Sequence, residues 1–348
     1  AVVLTCAMLA DAAGTARVLG ASQELLPLVV DYMVWYVPSW VFMVWTAVAL
    51  FVIRLDGAPR MAMACSLVTA LLNVVLDWLF MSPLGWGVMG AALATSLSTV
   101  AGGVMTIGYL LFAARRLRLV RLKMSAKSMR LTVRNIGYQC RVGLSALLGE
   151  ATMAVLMFTG NLVFMHYLGD DGVGAFGIIC YYAPFIFMVG NAIAQSAQPI
   201  ISYNFGLGDL ARTRQAEKVA LATAAICGLT VTGAFSLLPQ NLVGLFVPLD
   251  CAAAGIAVDG MPLFATGFVC FIFNLTAVGY FQSVERMLPA TVFALMRGVV
   301  LLVPSFVVMP LVCGTRGIWL AMPVAEGLTA VAVIAFYLHG KARERRKR

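Results

Sequence analysis

Charge is scarce in this sequence. Of its 348 residues only 11% are Asp, Glu, Lys or Arg, where a soluble domain carries about 25%, so the chain cannot clothe a water-facing surface of its own size. Histidine occurs twice, and the eight cysteines stand apart with no CxxC pair, which leaves no basis for a zinc cluster or a disulfide framework. A GKS or GKT phosphate loop, an HExxH helix and a GxSxG elbow are all missing, which excludes a P-loop ATPase, a zincin and a hydrolase of the elbow type. What fills the chain is apolar: 62% of residues are hydrophobic and the mean hydropathy is +0.95. The solvent this composition suits is lipid.

A helix needs about 20 apolar residues to cross a hydrocarbon layer of ~30 Å. Nine segments qualify: A 27–53, B 59–81, C 86–113, D 137–165, E 173–203, F 213–237, G 257–283, H 287–311 and I 315–338. Their length and lack of alternation favour helices over barrel strands. Residues 1–13 read as the end of a further helix, without the basic start of a signal peptide.

The net charge of +9 belongs to topology rather than to nucleic acid. With the C–D loop placed inside, every Lys and Arg except Arg17, Arg297 and Arg316 lies on that side or at its edge, while Glu24, Asp170, Asp171 and Asp250 lie opposite. This positive-inside pattern predicts a cytoplasmic C-terminus in a multi-pass plasma-membrane protein, bacterial inner membrane included.

The chain also repeats itself weakly. Pro59 opens B and Pro289 stands at the start of H, 230 residues apart; Gly87-Val-Met-Gly-Ala-Ala-Leu-Ala opens C and Gly317-Ile-Trp-Leu-Ala-Met-Pro opens I. A, B and C thus correspond to G, H and I in the same orientation, the mark of a parallel-repeat transporter. Extrapolating the repeat predicts that about two and a half helices precede Ala1, in a whole of twelve.

Several strings resemble one family. Arg54-Leu-Asp-Gly-Ala-Pro-Arg-Met-Ala-Met, Leu72-Asn-Val-Val-Leu-Asp-Trp-Leu-Phe and Gly87-Val-Met-Gly-Ala-Ala-Leu-Ala-Thr are similar to the first lobe of multidrug and toxic compound extrusion (MATE) transporters. Ala197-Gln-Pro-Ile-Ile-Ser-Tyr-Asn-Phe-Gly-Leu-Gly-Asp resembles the second lobe, and Gly317-Ile-Trp-Leu-Ala-Met-Pro-Val-Ala-Glu the last helix of the MepA-like branch. The resemblance implies an all-α two-lobe bundle of six plus six helices: a truncated first lobe over 1–113, a basic inter-lobe loop over 114–136, a second lobe over 137–338 and a basic tail over 339–348. It also implies export of varied, often cationic and aromatic compounds, driven by an inward H⁺ or Na⁺ gradient through alternating access. Small organic cations and membrane lipids are then the partners, the protein is a monomer without nucleic acid or cofactor, and it is not an enzyme.

Within the spans, ionisable side chains are costly and mark function by default. Glu150 lies 13 residues past Gly137, with no charged neighbour in sequence; the resemblance implies an acid on this helix that binds the coupling ion or the drug. A coupling Na⁺ would sit near it, and no fixed metal site is read elsewhere. Glu326 is either a second ligand or the partner of Arg297, itself read as structural. Asn161, Asn191, Gln195 and Asn274 join the candidate substrate and ion ligands; Asn161 is three helical turns past Glu150, and Asn191 and Gln195 stand at i, i+4. Some family members carry an acid in segment G, where this chain has Phe271-Ile-Phe-Asn274. Met33, Met43, Phe158, Met165, Phe185, Phe187 and Met188 are candidates for an adaptable apolar pocket. Pro38, Pro184, Pro199, Pro304 and Pro323 are expected to kink their spans. Two rivals remain: a flippase of lipid-linked saccharides, which needs several cavity cations for a pyrophosphate, and an inactive fragment.

Overall fold

The computed structural model describes residues 2–18, 26–117 and 125–346, with side chains as far as His339. Every regular element among them is helical: α1 (Val2–Ala10), α2 (Ala12–Val18), α3 (Leu26–Tyr36), α4 (Trp40–Leu55), α5 (Pro59–Met81), α6 (Gly87–Gly108), α7 (Ala126–Gly206), α8 (Leu210–Leu237), α9 (Pro239–Gly244), α10 (Ala252–Ala265), α11 (Phe268–Ser283), α12 (Met287–Leu295), α13 (Leu302–Cys313) and α14 (Thr315–Arg346). The chain forms two compact units, Ala1–Lys123 and Met124–Arg348.

The apolar runs explain these helices, and where they break has local causes. Segment A divides into α3 and α4 across the 3₁₀ turn Val37–Ser39, where Pro38 interrupts the hydrogen-bond ladder. Pro184, Pro199 and Pro323 lie inside helices that continue past them. The 81 residues of α7 would extend ~120 Å at the helical rise, about four times the hydrocarbon core. Gly169, at φ 65 and ψ −155, leaves helical geometry and separates segments D and E. Segment G is two helices, α10 and α11, bent by 47°. Segment H carries a π-helical turn, Met296–Val300, between α12 and α13. Counting α7 as two segments and the α10–α11 pair as one, the described residues supply nine apolar segments long enough to cross a membrane, and the protein is an integral, multi-pass membrane protein.

Two boundaries differ from the sequence reading. Helix α7 begins at Ala126, where Ser125 caps it by accepting from Ser128 N at 3.2 Å, so part of the 114–136 stretch is helical. At the other end α14 continues to Arg346, because Lys, Ala, Arg and Glu are strong helix formers. Residues 118–124 of the expected loop lie outside the described residues, as does Glu24.

The second unit is built on aromatic rings stacked against glycines. Phe164 stacks on Phe176 at 4.6 Å and meets Trp319 edge-on at 4.7 Å. A Cβ at Gly160 would collide with the Phe176 ring, and one at Gly260 with Trp319. The first unit has smaller clusters, one around Ala49, Ile53, Ala62 and Leu110 and one around Ala16, Met33 and Val37.

Candidate functional site

The geometry sorts the candidate residues into three sets, all on the second unit. The first is a buried charged cluster. Helix α11 contributes Phe271 and Asn274, one turn apart on the same face; the π-helical turn contributes Arg297, and α14 contributes Glu326. Arg297 donates to Glu326 Oε1 from Nη2 at 2.8 Å and from Nε at 3.1 Å, and Nε also reaches Oε2 at 3.3 Å. Asn274 Nδ2 donates to Glu326 Oε2 at 2.7 Å and to the Glu326 carbonyl at 2.9 Å. The guanidinium stands 4.4 Å over the Phe271 ring. Arg297 and Glu326 are each 1% exposed and Asn274 is fully buried. The set is neutral in sum, which is how a low-dielectric interior tolerates two charges. Asn274 Oδ1 is buried with no hydrogen-bond partner among the described residues.

The second set lies on α7 around Glu150. Ser145, Thr152 and Leu156 are buried and occupy one face of that helix. Thr152 lies where Gly298 of the π-helical turn permits its close approach; a Cβ there would strike Thr152 Oγ1. At about 100° per residue, Glu150 points roughly 160° away from Thr152. It is exposed, and no hydrogen bond or ion pair holds it among the described residues. Asn161, 11 residues on, falls within about 20° of the same direction and is also exposed. Glu150 and Asn161 therefore share an open face, while Glu326, Asn274 and Arg297 form a separate buried group.

The third set is a polar string. Gln198 Nε2 donates to Gln282 Oε1 at 3.1 Å, and Gln282 Nε2 donates to Ser145 Oγ at 3.0 Å. It ties the two halves of α7 to α11. Asn191 and Gln195 are half-buried on the Gln198 side of the helix, at i, i+4 and i+7 spacing, beside the string and outside its hydrogen bonds. Of the pocket candidates, Met43, Phe158, Met165, Phe185 and Met188 are exposed, whereas Met33 and Phe187 are buried in their cores. Those two fill space between helices and do not line a surface.

Asp56 is a residue whose role the sequence did not disclose. It lies in the turn between α4 and α5 and is 6% exposed. Its carboxylate accepts from the backbone N–H of Arg115 (3.0 Å), Arg116 (2.6 Å) and Leu117 (2.9 Å) and from the Tyr109 hydroxyl (2.9 Å). Those backbone hydrogen bonds hold its pKa well below the usual carboxylate range. The available signal was the Arg54-Leu-Asp-Gly string itself: a turn whose Gly57 takes φ 91 places the acid beside the end of α6. The G-x-G-x-x-A string at Gly206 proves to be a helix-to-helix turn, with Gly208 at φ 76 and Asp209 capping α8.

Comparison with known proteins agrees with this architecture. The MatE family model matches residues 146–307. The multidrug export protein MepA of Staphylococcus aureus is 26% identical over 323 residues, 92% of this chain and 69% of that protein. The protein of the same name from Staphylococcus saprophyticus is 27% identical over 325 residues, with the same coverage. Among solved structures, an outward-facing multidrug resistance MATE transporter of the MOP superfamily superposes with a TM-score of 0.84 at 23% identity, over 98% of this chain and 75% of that one. A MOP superfamily transporter from Pyrococcus furiosus, described as having a binding pocket of reversed polarity, gives 0.83 at 23%, over 98% and 75%. Family model, relatives and fold point the same way: the chain is similar to the MatE family over residues 146–307 and to multidrug export proteins over 92% of its length.

Proposed function

We propose that the protein is a secondary active exporter of small organic cations, exchanging them for H⁺ or Na⁺ by alternating access. Its relatives named as multidrug export proteins support the substrate class. The observation that carries the reading is Glu150: a carboxylate in a membrane span, turned away from the packed face of α7 and without a partner among the described residues. An unpaired carboxylate in a span is retained for a mobile cation. The coupling cation and the drug compete for it, and release on protonation or Na⁺ binding supplies the differential affinity that exchange requires. Asn161 on the same face offers an amide oxygen, and Phe158, Met165, Phe185 and Met188 offer exposed apolar and aromatic surface for flat drugs. Asn191 and Gln195 are proposed as further polar contacts. Glu326 and Asn274 act in this reading through the Arg297 cluster that fixes α11, α14 and the π-helical turn.

The test is efflux of a fluorescent organic cation from proteoliposomes, first under a pH gradient and then under a Na⁺ gradient. Gradient-driven efflux that Glu150→Gln lowers at least tenfold, at an unchanged melting temperature, supports the reading and names the ion. Efflux unmoved by Glu150→Gln removes the residue from coupling. No efflux under either gradient favours the saccharide-lipid flippase, against which stands the fact that Arg297, the cation at mid-span, is already engaged by Glu326.

A further inference from the structure

An open groove of about 630 Å³ runs between the second half of α7 and α8, and the transport reading makes no use of it. On α7 it extends from Ala192 to Asn204 and on α8 from Arg212 to Thr223. Each stretch covers ~17 Å at the helical rise, close to one leaflet of a hydrocarbon core of ~30 Å. Both helices are of membrane-spanning length and hydropathy.

The groove is chemically graded along its axis. Asn204, Arg212 and Gln215 gather at the end next to the α7–α8 turn, and the wall beyond them is mainly aliphatic, interrupted by the hydroxyls of Ser196 and Thr223. Ile200 is 56% and Val219 61% exposed, so apolar surface in the groove is left uncovered by the protein. The lining holds neither a carboxylate nor an aromatic ring, a poor match to flat organic cations. It does hold a cation. The Arg212 side chain is 75% exposed, and its ion pair among the described residues, with Asp209, is loose at 3.4 Å. Such a surface pair contributes little, so the guanidinium is able to exchange it for a phosphate, to which it offers a forked set of donors. Arg212 stands on the flank that the Lys and Arg distribution assigns to the cytoplasm, the leaflet in which anionic headgroups attract basic segments.

From this gradient we infer that the α7–α8 groove is a binding site for an anionic phospholipid, with its phosphate on Arg212 and one acyl chain along Ile193, Ile200 and Val219. Length, apolar wall and charge at the headgroup end fit that occupant together. The site is distinct from the Glu150 face and makes the protein's stability dependent on lipid charge.

The test titrates the purified protein in detergent with dioleoyl phosphatidylglycerol or dioleoyl phosphatidylcholine and counts bound lipid by native mass spectrometry, a readout independent of transport. The first phosphatidylglycerol should bind more tightly than phosphatidylcholine. Arg212→Gln should weaken phosphatidylglycerol about fivefold, the equivalent of about 1 kcal/mol for one basic contact, and leave phosphatidylcholine unchanged. Ser196→Trp, which fills the groove from an exposed position, should reduce both. A photoactivatable phosphatidylglycerol on the unmodified protein should crosslink within residues 192–223, and this map decides by itself if either variant fails to fold. Equal binding of the two lipids, binding insensitive to both variants, crosslinks elsewhere, or displacement of the lipid from those residues by tetraphenylphosphonium would overturn the proposal.

Discussion

Single side chains set the local rules in this protein, and Arg297 shows how sharply. Its charge is tolerated at 1% exposure because the Glu326 carboxylate accepts from both Nε and Nη2 of the guanidinium and Asn274 Nδ2 donates to the carboxylate's other oxygen. Removing one partner strands the other: Glu326→Met or Arg297→Met alone is expected to cost about 3–5 kcal/mol, whereas the Arg297→Met, Glu326→Met double variant is expected to be neutral or up to about 1–4 kcal/mol more stable. Thermal melts of the three proteins check this. If the double variant melts like the wild type yet no longer transports, the cluster has a role in transport beyond holding helices. Asp56 makes the opposite kind of bond, at a turn outside the spans. Its folded pKa is depressed, so its stabilising contribution is complete above the ordinary carboxylate pKa of about 3.9 and disappears as pH falls through the lower folded value. Asp56→Asn should therefore lower the melting temperature at pH 7, and the gap from the wild type should stay constant down to about pH 4 and close only in stronger acid. A gap that closes between pH 7 and pH 5 would show that another group is titrating.

At the scale of elements, close helix approach rests on a few glycines. Helix α10 reaches α14 at Gly260, whose hydrogen faces the Trp319 ring. Gly260→Ala should displace that ring and destabilise the second unit by about 1–3 kcal/mol, the usual cost of overpacking. Gly177, also helical, has nothing within 4 Å of an added Cβ, so Gly177→Ala should be neutral or gain about 0.5–1 kcal/mol. A common loss in both variants would show that helix propensity and not the Trp319 contact is being measured. These contrasts also mark what was legible beforehand. Segment positions followed from apolar length, and the break at Pro38 from a residue that cannot donate. The Arg297–Glu326 pair was legible as one of two alternatives, since opposite charges in neighbouring spans have few places to go. The bend at Thr266–Gly267 and the π-helical turn were not, because neither changes composition. Helices continue through Pro184 and Pro323 because a helix in apolar surroundings keeps its remaining hydrogen bonds where water offers no substitute. The direction of Glu150 depends on which face of α7 packs, as does the burial of Met33 and Phe187, and periodicity is silent in a segment apolar all round.

For the whole molecule, orientation in the membrane decides which gradient any carboxylate senses. The distribution of Lys and Arg predicts it, and the structure supplies reporters, because all eight cysteines are free and Cys251 and Cys313 are exposed. Cys251 lies just before α10 and Cys313 ends α13, both on the side that the positive-inside pattern leaves outside. Lys127, exposed in the first turn of α7, lies on the opposite side. In versions of the protein retaining one cysteine each, a membrane-impermeant maleimide added to intact cells should label Cys251 and Cys313 and spare a Lys127→Cys substitution, with the pattern reversed in inside-out vesicles. Labelling of Lys127→Cys alone in intact cells would invert the molecule. The α7–α8 turn would then face outward, moving the Arg212 groove into the outer leaflet, and Glu150 would have to load its cation from the other side. Labelling of Cys251 in intact cells with Cys313 spared alongside Lys127→Cys would break the alternation of spans between the two cysteines, and the first place to look would be the bent α10–α11 pair, whose 47° angle is the geometry of either a broken crossing or a re-entrant one.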